Sequence, residues 1–132
     1  MEKKTRESGV IQVIDDLLIR VLGVGNKGHR NCSAAIHGAF YEMKASADTP
    51  SSFKAVLDNI SFATDDIYPY SREISGALIR LQIAGYVTIF NPEYNFIQIK
   101  ADKRRHVSNM LKKLNAEELE AVKRASSVIN GQ

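Results

Sequence analysis

Three side chains that could hold a metal or pair as nucleophile and base lie close together: His29, Cys32 and His37. Imidazole nitrogens and a thiolate are zinc ligands, and a cysteine beside a histidine is the core of a thiol nucleophile. The spacing argues against both. Cys32 and His37 stand five apart, a poorer separation for acting together from one helix than three or four, and no fourth ligand accompanies the set. The pattern predicts a small buried thiol and two partly exposed histidines, with no metal, no cofactor and no catalytic residue. Asp15 and Asp16 are an adjacent carboxylate pair with nothing nearby to complete an acid–base or metal site, and they read as a solvated face.

The run Gly25-Asn26-Lys27-Gly28-His29-Arg30, inside the segment from Leu22 to Asn31, could cradle a phosphate through backbone N–H groups, with Lys27, His29 and Arg30 adding charge. A Walker loop needs its lysine directly after the last glycine and a strand before it. Here a helix precedes, so the segment reads as a flexible interhelical loop. The densest basic cluster comes later: Lys100, Lys103, Arg104, Arg105, His106, Lys112 and Lys113, interrupted by Asp102. Cations grouped this way either form a solvated face or neutralise phosphates without regard to sequence.

These residues must be positioned by the elements around them. From Tyr68 to Lys100 the chain reads as a helix that ends at a glycine and passes into a β-hairpin. Ile74, Ala77, Leu78, Leu81 and Ala84 recur at helical spacing and leave Arg72, Glu73, Ser75, Arg80 and Gln82 opposite. Pro69 stops any earlier helix, Ser71 is placed to cap, and Gly85 can close the helix in a left-handed conformation. Two β-rich runs follow, 86–90 and 95–99, joined by Asn91-Pro92-Glu93-Tyr94.

Helix, glycine and hairpin in this order, with the pattern Leu-x-x-Leu-x-x-Ala-Gly-Tyr-Val, resemble the helix-and-wing half of winged helix-turn-helix domains. The resemblance covers a third to a half of the chain. A narrower similarity joins PYSREISGALIRLQIAGYV and the later KADKRRHVSNMLKKLNAEELEAV to small winged-helix proteins, some resembling Panacea-type antitoxin domains. Tyr68 stands where those carry glycine, and the N-terminal half lacks their Leu-Gln-Lys helix. The fold class this implies is mainly α with a β-hairpin wing (α+β), a winged helix with N-terminal and C-terminal helical extensions.

The 132 residues read as a single domain with an ordinary 44% hydrophobic and 25% charged content. Residues 1–8 are polar and expected to be flexible, 9–60 to hold the N-terminal helices, 68–100 the helix and wing, and 102–130 the C-terminal helices. Val10, Ile14, Leu17, Leu18 and Val21, widened by Ile11 and Ile19, give an apolar surface broader than one packing face needs. That width marks a central or a dimeric helix, and a homodimer is expected. Asn31 is placed to cap a helix through Lys44 with Ile36, Ala39, Phe40 and Met43 inward. Ser51 or Ser52 starts a short helix carrying Phe53, Val56, Leu57 and Ile60. The connection SFATDDIYPY is longer than a standard helix-turn-helix turn. Its Phe62, Ile67, Tyr68 and Tyr70 could pack under the sheet or face a protein, while Asp65 and Asp66 would repel phosphates. Asp102 is read as the cap of a helix through Leu114, and Asn115 with Glu118 as the capping pair of the last helix.

A net charge of +3 permits nucleic acid without demanding it. One cysteine and the lack of an apolar run of signal or membrane length fit a cytoplasmic protein that engages no membrane. The leading expectation is a regulator of transcription that binds double-stranded DNA, with Ser71, Arg72, Ser75 and Arg80 towards the major groove, Tyr94 and Asn95 on the wing, and Lys103, Arg104 and Arg105 on phosphates. The alternative is a winged-helix module, antitoxin or mobile-element protein, that binds a protein partner.

Overall fold

The computed structural model describes residues 11, 13–25, 28–65, 67–89 and 92–131. Val10, Lys27, Asp66, Phe90 and Asn91, each used in a sequence expectation, lie outside them, as do residues 1–8. Among the described residues the fold is mainly helical with a small antiparallel sheet, an α+β arrangement. In chain order come α1 (Ile14–Leu22), β1 (His29–Arg30), α2 (Ser33–Ala45), α3 (Ser51–Leu57), α4 (Arg72–Ile83), β2 (Val87–Thr88), β3 (Phe96–Ile99), α5 (Arg104–Lys112) and α6 (Ala116–Ile129).

α1 is the central helix. Ile14, Leu17, Leu18, Ile19, Val21 and Leu22 are all buried, because α3, α4, α5, α6 and β3 pack around it. The described residues of the wide apolar surface that led to the homodimer expectation are therefore covered within the chain. Even Arg20 is buried. Its Nε donates to the carbonyl of Met110 at 3.2 Å and its guanidinium to the carbonyl of Asp16 at 3.0 Å, which fastens α5 to α1. Burial draws its pKa down from the usual guanidinium value, against the opposing pull of Asp16 and Glu118.

The sheet has the order β1-β3-β2. Val87 faces Ile99 and Thr88 faces Gln98 in the hairpin, as the β-rich runs predict, though with shorter strands. The third strand corrects the reading of 22–31 as a loop: His29 pairs with Ile97 and Arg30 with Phe96. Two residues of strand are too few for an alternating pattern to show, and β3, far along the chain, supplies their backbone partners.

The caps of α4 and α6 are as the sequence predicts. Ser71 Oγ accepts from the N–H of Ile74, Gly85 sits at φ +82°, and Asn115 and Glu118 form a reciprocal capping box. Two other expected caps are not used. Cys32, without a side-chain bond, precedes α2, while Asn31 turns to the hairpin. Lys103 precedes α5, because Ala101–Lys103 form a separate 3₁₀ turn that takes in Asp102. On α4, Ile74, Ala77 and Leu81 are buried, but Leu78 is only half-buried and Ala84 is exposed. The buried stripe is narrower than the periodicity implied.

The long connection before α4 is closed on itself. Ala63 and Tyr70 exchange both backbone hydrogen bonds, at 2.8 and 3.0 Å. Its aromatic residues fold over α2 and not under the sheet: Phe62 meets Tyr41 edge-on, and Tyr70 stacks on His37 at 4.9 Å. Ile67, by contrast, is 95% exposed.

Candidate functional site

The two histidines are buried, not partly exposed. His29 enters the interior because it is the inward residue of β1, and its Nε2 lies 2.6 Å from Ser126 Oγ on α6. Its Nδ1 has no partner among the described residues, and burial lowers its pKa to about 4. His37 is on the inner face of α2, where its Nδ1 accepts the backbone N–H of Ser71 at 3.0 Å. That bond fixes the proton on Nε2, 3.4 Å from Ser75 Oγ. Burial lowers the pKa of this ring too. The pair thus holds β1 to α6 and the start of α4 to α2. Among the described residues no group of three or more His, Cys, Asp and Glu side chains is placed to hold a metal ion.

The residues expected to meet DNA are not brought together as one exposed set. Ser71 is fully buried, its hydroxyl taken up by the helix cap and by Glu73 at 3.0 Å. Ser75 is half-buried beside His37. Arg80 forms a two-point ion pair with Asp15 of α1, at 2.8 and 2.7 Å. The hydrogen bond to Asp15 raises the Arg80 pKa above its usual value. Asp15 is thereby an ion-pair partner where the sequence reads as a solvated carboxylate. Arg72 is exposed at the start of α4.

Tyr94 and Asn95, between β2 and β3, are held at their backbone. Asn31 donates its side-chain amide to the Tyr94 carbonyl at 2.8 Å and its N–H to the Asn95 carbonyl at 2.9 Å. Glu93 and Tyr94 both adopt left-handed φ, 58° and 57°, a strained choice for such side chains. Of the basic trio, Arg104 and Arg105 are exposed on α5, while Lys103 is half-buried with its Nζ 5.5 Å from the centre of the Tyr86 ring.

The surface of α4 carries something that the sequence pattern did not single out. Ile79 is 56% exposed and Ile83 81% exposed, four residues apart and so neighbours on one helical face. Both lie off the buried stripe of Ile74, Ala77 and Leu81. The signal was present as apolar residues outside that period. Among the described residues no helix is long and apolar enough to cross a membrane. No protein-family model, curated protein or solved structure matches the chain.

Proposed function

We propose that the chain is a winged-helix module that binds a partner protein through the exposed face of α4. The observation that carries this reading is the pair Ile79 and Ile83, left open to water on the helix where a DNA reader would display polar groups, while Arg80 is engaged by Asp15. Covering an isoleucine side chain contributes about 1.5–3 kcal/mol, a gain that an apolar protein surface offers and a phosphate-lined groove does not. Ile67, exposed in the loop just before α4, adds apolar surface, and Arg72 adds a positive charge suited to an acidic rim on the partner. The narrower resemblance to antitoxin domains gives this function one concrete form, with a toxin as the partner.

The test is a photo-crosslinking amino acid at position 83, in cells that express the full chain. One stoichiometric protein adduct is expected, absent when Ile79 is changed to Glu and absent from a control position such as Lys123. Adducts no stronger than the control would remove the proposal.

A second reading, binding of double-stranded DNA, is favoured by the exposed Arg104 and Arg105 beside Lys103. It requires binding to mixed duplex at low salt. Replacing all three by alanine should then weaken every sequence alike and lower the log–log salt slope by about 0.9 for each phosphate no longer neutralised.

A further inference from the structure

A cleft of about 220 Å³ opens where the end of α1 and the glycine-rich segment after it meet β3 and α5. Its apolar side is formed by Leu22, Val107 and Leu111, and its polar side by Arg104, Ser108 and Gln98. Arg104 and Ser108 are one turn apart on α5 and share a face. The glycines shape the opening. A Cβ at Gly23 would run into the Val107 side chain, and one at Gly28 would lie 2.7 Å from the Gln98 side chain and 3.0 Å from the Ile97 carbonyl. The segment is pressed against both walls at those two points. Gly25, between them, meets none of the described residues beyond its chain neighbours within 4 Å of its Cβ position, which leaves room in the cleft there.

The anion cradle that this run could have formed, set aside above for a loop, would take its charge from Lys27, His29 and Arg30. His29 faces Ser126 instead, and Arg30 donates to the carbonyl of Ile129 at the end of α6. Among the described residues that line the cleft the positive group is Arg104, which arrives from α5.

We propose that this cleft binds a small organic carboxylate, with the anionic group on Arg104 and Ser108 and an apolar body against Leu22, Val107 and Leu111. A guanidinium presents parallel N–H groups that match a carboxylate at two points, and the hydroxyl adds a third donor. The apolar wall calls for more than a bare ion. Size selects a single ring or short chain, since an apolar cavity of about 150 Å³ accepts benzene. The inference is independent of the protein-binding face on α4.

Amide chemical-shift titration of the full chain with benzoate tests it, with benzyl alcohol as the neutral counterpart and inorganic phosphate as the bare anion. Benzoate is expected to give saturable shifts, with a Kd at or below about 1 mM, centred on Gly23, Gly25, Gly28 and Ser108. Arg104→Gln, at an exposed position, should weaken binding by about tenfold or more without changing the thermal midpoint, and Ser108→Leu should abolish it by filling the cleft. Shifts that do not saturate, equal binding of benzyl alcohol, preference for phosphate, or full affinity in Arg104→Gln would each overturn the proposal.

Discussion

His29 and His37, both with pKa values lowered by burial, make the stability of this protein sensitive to acid. The folded chain holds both rings neutral, while the unfolded chain protonates them from about pH 6.5. Below that pH the unfolded state binds more protons, so stability falls as pH drops from about 6.5 towards the His29 pKa of about 4. The loss attributable to His29 is on the order of 3 kcal/mol. Urea denaturation across this range should show it, and His29→Leu should flatten the slope between about pH 6.5 and 4.5. An unchanged slope would mean the ring is solvated. The Arg80–Asp15 pair behaves differently. Its side chains remain 57% and 25% exposed, so Asp15→Asn should cost less than about 1 kcal/mol, and less still at high salt.

At the scale of the element, α4 provides a graded series along one helix. Ile74 is fully buried, so Ile74→Ala should cost about 2–5 kcal/mol. Leu78 is half-buried and should cost distinctly less, and Ile83→Ala should lie within about 0.5 kcal/mol of zero. Chemical denaturation of the three variants checks the order, and equal losses would refute the assigned faces. Ser71→Ala removes the cap and should cost about 0.5–2 kcal/mol. The Ser71 backbone N–H still reaches His37, so the start of α4 should keep its place against α2.

For the molecule as a whole, the burial of α1 decides the arrangement. The surrounding helices and β3 cover the described apolar residues on which the expectation of a homodimer rested. Light scattering at tens of micromolar is expected to give the mass of one chain. If a dimer appears and Ile83→Glu dissolves it, the face of α4 binds a second copy of this chain.

Local features are legible in the chain alone. The helix period of 72–83, the cap at Ser71, the left-handed Gly85, the capping box of Asn115 and Glu118, and the hairpin after α4 all depend on residues a few positions apart. Features that need distant partners come from packing. The strand at His29 exists because Phe96 and Ile97 pair with it. Asn31 leaves the helix it could have capped because Tyr94 and Asn95 offer carbonyls. Arg80 is occupied because α1 brings Asp15 to it, and Arg104 reaches the glycine segment because α5 packs on α1. Periodicity says which side of a helix is apolar, but not how much of that side its neighbours will cover. That coverage buried α1 from Leu17 to Leu22 and left Ile79 and Ile83 in water.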